Sequence, residues 1–272
     1  MAEVVLVVLR RPEQATGLLD AASCLAALVG EARIQALTVR EPIHVGALAA
    51  EALMDEADSV LEAKQREGLR IADLKARFDR WAAAADGGRP AGHWVQAEGN
   101  APAIIGEYGS RADIIVAGQP AEDDRPGRQA FRAALFGTDR PVLMVPPRSI
   151  TPFGRCVAIA WRNEKTAVRA VIPALRCLAA AERVHVLVGL RGRSEQPEIP
   201  AILMEHSIRA ELHVLPIGGR PFGEALLDMA HRLSADLLVM GAYAHSPLRE
   251  LILGGVTQHM LDHADLPVFM RH

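Results

Sequence analysis

SADLLVMG, residues 234–241, has an earlier copy in the same chain, RADIIVAG at 111–118. Other segments fall into register with this pair. VVLVVL (4–9) corresponds to VAIAW (157–161), with residue 7 opposite residue 159, and a helical pattern follows each, over 13–29 and 165–181. IQALTV (34–39) corresponds to VHVLVG (184–189), and PVLMV (141–145) to PVFMR (267–271). The same order of elements therefore occurs twice, the mark of a duplicated unit. The joint is PPRSITP (146–152), whose prolines disfavour regular structure, so it reads as a linker. Two domains are expected, 1–147 and 151–272.

The strands are continuous apolar runs separated by helical stretches, not alternating ones. That pattern belongs to parallel strands covered on both faces, a doubly wound, Rossmann-like α/β sheet in each unit. Ligands in such sheets sit beyond the carboxyl ends of the strands, where the strand order reverses. In the second unit the candidate loops are 162–165 and 241–257. Between its second and third strands the first unit carries extra residues. There 46–87 reads as a long amphipathic helix with Leu53, Val60, Leu61, Leu74 and Phe78 on its apolar face, stopped by Gly87-Gly88. The second unit has only a short counterpart, around 199–208. PVLMV and PVFM close their units as edge strands. An apolar edge must be covered or paired, so the two are expected to pair with each other, antiparallel, across a pseudo-twofold axis.

Half of the 272 residues are apolar and the net charge is −3, so a large core can form. No long basic run suggests a nucleic-acid binder. No stretch approaches a membrane span, and the apolar run at the N-terminus is too short for a signal peptide, so a cytoplasmic protein is expected. Cys24, Cys156 and Cys177 are odd in number and lie in apolar surroundings, which reads as buried reduced thiols.

The segment VMGAYAHSPLRELILGGVTQHMLDHADLPVFM (239–270) resembles the closing part of universal stress protein domains, and the repeat resembles a tandem arrangement of them. The family pattern is Gly, two residues, Gly, nine residues, Gly, then Ser or Thr. Gly241 fills the first place and Ala244 replaces the second glycine. His245–Leu253 are the nine, Gly254 fits, and Gly255 stands in the hydroxyl position. Val256, Thr257 and Pro267-Val268 fit as well. AIAWRNEKTAVRAV (158–171) is similar to the family's first strand and loop, with Arg162 where an acidic residue often stands.

The resemblance implies five parallel strands per unit with helices on both faces. It also implies that some members bind ATP, with ribose and phosphates against the glycine loop, while others bind no nucleotide. Single-domain members dimerise through the last strand. By this resemblance the site would comprise Trp161, Arg162, Gly241, Ala244, His245, Gly254, Gly255, Val256 and Thr257, taking ATP, ADP or AMP, with magnesium if ATP binds.

The departures have physical consequences. Backbone N–H groups at Gly254 and Gly255 can still receive an anion at a helix start. Gly255 forgoes one hydroxyl contact to phosphate. Ala244 adds a Cβ where a left-handed backbone would penalise it. Arg162 removes a carboxylate that could hold adenine or a magnesium-bound phosphate, yet adds a cation. Thr257 can offer a hydroxyl or cap the helix, and His245 can donate to a phosphate or stand idle. In the first unit Arg128 and Gln129 stand opposite Gly254 and Gly255, Glu122–Asp124 would repel a phosphate, and Arg10 and Arg11 follow the first strand. That unit is expected to serve as packing partner, one half of an internal pseudo-dimer. A homodimer of the whole chain and an unidentified protein partner stay open.

No P-loop pattern and no nucleophile elbow occur, so neither a P-loop ATPase nor a serine hydrolase is expected. A slow ATPase has no visible general base. His259 and His263 have i, i+4 metal-ligand spacing but no evident third ligand, so a solvated helix face is the reading preferred. His206 and His213 stand alone in sequence. Trp161 and Trp94 read as core or cleft-wall residues.

Overall fold

A computed structural model describes residues 2–42, 53–84, 91–148, 152–162, 165–190, 197–242 and 255–272. The first half runs β1 (Glu3–Val8), α1 (Pro12–Val29), β2 (Ala32–Arg40), α2 (Leu53–Ala83), β3 (Gly92–Glu98), α3 (Ala101–Gly109), β4 (Ile114–Gly118), α4 (Arg125–Gly137) and β5 (Val142–Val145). The second runs β6 (Cys156–Trp161), α5 (Lys165–Ala180), β7 (Arg183–Leu190), α6 (Ala201–Glu205), β8 (Glu211–Pro216), α7 (Phe222–Arg232), β9 (Leu237–Gly241), α8 (Gly255–His263) and β10 (Val268–Arg271).

Within each half the strands are parallel and doubly wound. The two sheets are not separate, however. The ladder reads β3-β2-β1-β4-β5-β10-β9-β6-β7-β8, a single ten-stranded sheet. Its one antiparallel joint lies in the middle, where Val268, Phe269 and Met270 of β10 stand opposite Met144, Leu143 and Val142 of β5. All six of these residues are fully buried. Two short apolar edges thus satisfy each other's backbone groups and leave neither exposed.

Successive residues of a strand face opposite sides, and the two cores follow that alternation. Val5, Val7, Val157 and Ile159 join α1, α2 and α5 on one face. Leu6, Val8, Ala158 and Leu187 join α3, α4, α7 and α8 on the other. Each helical layer spans both halves; Arg176 of α5, for example, donates to the Val29 carbonyl at the end of α1 at 2.9 Å. Two aspartates anchor the first strand of each half. Asp113 accepts from the Val4 amide at 2.8 Å. Asp236 accepts from the Gly154, Arg155 and Cys156 amides at 2.8, 3.1 and 3.1 Å.

The long helix forms over Leu53–Ala83, and the short counterpart expected in the second half is α6. Leu74, Phe78 and Trp81 are buried, but Leu61, expected on the apolar face, is exposed, as is Leu69. The reason lies at Arg70, whose guanidinium donates to the carbonyls of Arg10 and Val39 at 2.8 Å each, at the carboxyl ends of β1 and β2. Helix residues before Arg70 extend past the end of the sheet and have less of it to pack against. The expected stop at Gly87-Gly88 lies outside the described residues.

All three cysteines are free. Burial pushes the Cys177 thiol up to about 12, and it raises Cys24 and Cys156 as well. Raised thiols are poor nucleophiles and packing residues. Among the described residues no helix is long and apolar enough to cross a membrane.

Candidate functional site

In the second half the strand order reverses between β6 and β9, which pair with each other while β7 and β10 flank them. Ala160 stands opposite Met240, so Trp161 and Gly241 leave neighbouring strands side by side. Gly241 and Ala242 are buried, and the Ala242 amide donates to the Arg271 carbonyl at 2.8 Å, fixing the exit of β9. Trp161 is half-buried and Arg162 exposed. Helix α8 then begins at Gly255, which is exposed and, among the described residues, has nothing within 4 Å of an added Cβ. Val256 is half-buried, and Thr257 is buried at 1% exposure, which suits a role within the helix and core. Ala244, His245 and Gly254 lie outside the described residues. Trp161, Arg162, Gly241 and Gly255 therefore border the carboxyl end of the sheet, while Thr257 lies beneath the helix start.

In the first half the chain's own carboxylate occupies the helix start, beside a cavity of about 490 Å³ lined by Arg10, Arg11, Glu41, Arg66, Arg70 and Asp124. Asp124 caps α4: one carboxylate oxygen accepts from the Gly127 amide at 2.8 Å. The other lies 3.2 Å from Arg10 Nη1 and 3.4 Å from Arg11 Nε. A Cβ on Gly127 would collide with the Asp124 carboxylate, so a larger residue there would have to displace the cap. A helix N-terminus attracts an anion, and here the chain supplies its own. From sequence, the acidic run was expected to repel a phosphate; at Asp124 it also fills the place one would take. Asp124→Ala is expected to cost about 1–2 kcal/mol of stability through the lost cap. Inorganic phosphate should then raise the melting temperature of the variant more than that of the wild type. An equal response in both would show that the seat does not open.

Arg128, opposite Gly254 in the alignment of the halves, turns to the other half instead. It donates to Asp262 of α8 at 2.7 Å. Burial alone would raise the Asp262 carboxyl, but hydrogen bonds from Gln258 and Arg128 outweigh it and hold the group below its ordinary value. Gln119, just after β4, donates to the Leu261 carbonyl at 2.9 Å. What would be a phosphate loop in the first half has become part of the seam.

The His259 and His263 rings pack at a tilt of 56° with centres 4.5 Å apart, and no third ligand joins them among the described residues. Burial and the neighbouring His263 lower His259. His213 is not the isolated residue its sequence position suggests: its ring meets His185 of β7, with Glu211 beside both. Sequence reading missed His185 because it sits inside an apolar strand.

The fold defines a class, doubly wound α/β proteins with two such halves in one chain. The fold matches that of a solved universal stress protein from Archaeoglobus fulgidus DSM 4304, at 15% identity, with 99% of this chain and 96% of that one covered and a TM-score of 0.67. It matches similarly a functionally unknown protein from Pseudomonas aeruginosa PAO1, at 16% identity, 99% and 92% coverage and a TM-score of 0.60. At such identities the likeness is one of fold. No curated protein matches the chain. Residues 207–272, from β8 to β10, match the family model described as the Universal stress protein family.

Proposed function

We propose that the chain is a tandem universal stress protein, a stress-response binding and regulatory protein with domains at 1–147 and 151–272. In this reading the second domain binds an adenine nucleotide at 241–257, and the first serves as its structural partner. The observation that carries the reading is the contrast between two helix starts. At α4 the anion seat is filled by Asp124, whereas at α8 Gly255 is exposed and no described residue lies within 4 Å of a Cβ added there. An exposed helix start beyond the switch point of a parallel sheet suits a phosphate group.

The residues present fit the phosphates better than the metal. Backbone N–H groups supply anion binding without side chains, whereas Arg162 offers no carboxylate to magnesium. Magnesium would therefore be held by the nucleotide's own oxygens. A second reading, a module of the same fold acting through a protein partner or another small ligand, is favoured by Ala244 in the place of a glycine.

Thermal shift and calorimetry with ATP, ADP and AMP separate the two, since a ligand that binds only the folded state must raise the melting temperature. A shift is expected for at least one nucleotide; none at millimolar concentration sinks the nucleotide reading. Ala244→Gly with Gly255→Ser is expected to tighten binding by roughly 10–150-fold, through one restored charged-acceptor hydrogen bond worth roughly 1.5–3 kcal/mol. At Gly255→Ser the new Cβ meets none of the described residues within 4 Å. Phosphate release without an added partner would instead favour a slow ATPase.

A further inference from the structure

His185, Glu211 and His213 lie on the outer strands of the second half, away from the glycine loop. Register brings them together: His185 of β7 stands opposite Glu211 of β8, and His213 is two residues further along β8, on the same face. Three atoms converge there. His185 Nδ1 is 3.1 Å from His213 Nε2 and 3.4 Å from a Glu211 carboxylate oxygen. That oxygen is 3.8 Å from His213 Nε2.

A tetrahedral ion with bonds of about 2.0–2.1 Å holds its ligand atoms about 3.3 Å apart. The triangle fits those edges closely. Two imidazole nitrogens and one carboxylate oxygen are also a complete protein ligand set for zinc with one coordination position left over. The surroundings leave that position outward. His185 is buried at 3% exposure, forming the floor, while Glu211 is largely exposed and His213 partly so. Among the described residues this is the one place where three such ligand atoms gather. His185 Nε2 is buried and has no hydrogen-bond partner, so the ring is not committed elsewhere.

We propose that His185, Glu211 and His213 form a binding site for a divalent transition cation, of the zinc type, that fastens the edge strand β8 onto β7. Two imidazoles select zinc, nickel, copper or cobalt over magnesium and calcium. The site lies near the start of β8, and residues 185, 211 and 213 share the side of the sheet that carries α7. It is independent of any nucleotide at 241–257, which lies at the strands' carboxyl end. The bare Nε2 also grades the affinity. A ligating histidine usually donates its other N–H to an acceptor, and loss of that support weakens binding by about 10–100-fold. Binding is therefore expected to be weaker than in a fully supported zinc centre.

The test uses the tag-free full chain, chelator-treated, titrated with zinc chloride by calorimetry and with cobalt chloride by visible absorption. The expected result is one equivalent of zinc, a rise in melting temperature, and the intense visible bands of tetrahedral cobalt. His213→Ala and Glu211→Gln, both at accessible edge positions, should weaken the high-affinity step by at least about tenfold while circular dichroism stays unchanged. His259→Ala with His263→Ala should leave that step intact. No saturable zinc binding overturns the site. So does binding that survives His213→Ala and Glu211→Gln, or that disappears in the His259/His263 variant.

Discussion

Phe269→Ala is expected to lower stability by about 3–5 kcal/mol, the usual cost of emptying a large buried aromatic site. For a chain of this size that corresponds to a fall of roughly ten degrees in melting temperature. Phe269 is fully buried and stands opposite Leu143 at the antiparallel joint between β5 and β10. Its loss therefore hollows a core to which both halves contribute, including Val5, Val7, Val157 and Ile159. Phe269→Leu, which keeps most of the volume, should cost far less. Thermal and guanidinium unfolding measure both. A drop of under about three degrees in the alanine variant would mean that the joint contributes little to the native state.

Asp236→Ala is the second large effect. Its carboxylate receives three consecutive amides at the entry to β6, and of these Gly154 and Cys156 are buried while Arg155 is exposed. Removing the acceptor leaves two buried N–H groups without a partner, at about 1–3 kcal/mol each. A loss of about 3 kcal/mol is expected, and about half of that in Asp236→Asn, which keeps one acceptor oxygen. Urea unfolding at neutral pH reads both values. A change of under about 0.5 kcal/mol, the range of ordinary surface substitutions, would contradict the anchoring role.

Much of the architecture was legible because buried parallel strands write themselves plainly. VVLVVL is apolar throughout, and IQALTV and the LLVMG of SADLLVMG are nearly so, since both faces of each strand are covered. The outer strands β3 and β8 carry a weaker signal. GHWVQAE and ELHVLP mix exposed and partly buried positions, so neither stood out as an apolar run. Leu61 was misplaced because helical periodicity reports which residues share a face, not where the sheet beneath that face ends. Asp124 could be read as an acid in a loop. Its turn back onto Gly127 is a local cap, but its gathering of Arg10 and Arg11 depends on contacts more than a hundred residues apart.

The metal-binding triangle was hidden for a related reason. Glu211 and His213, with i, i+2 spacing on a strand, could have suggested two ligands on one face. The third, His185, becomes their neighbour only through the parallel register of β7 and β8, which no local pattern encodes. The glycine loop shows the converse. Its motif could be quoted from sequence, and the structure places Gly241 at the end of β9 and Gly255 at the start of α8. The first half disclosed what a filled seat looks like.

The antiparallel joint has a further consequence, for what happens when the chain is cut. Severed within 146–152, each piece would carry one naked apolar edge, Val142–Val145 or Val268–Arg271. Each could then pair with its complement or with a copy of itself. The linker decides this contest by holding the complementary edge close, at an effective concentration on the order of millimolar for a short tether. Self-pairing has to compete with that. A permanently attached partner also relaxes the demands on the first half, which need only keep its edge and its helices. Its ligand loop was thereby free to turn inward, and in Asp124 and Arg128 it has done so.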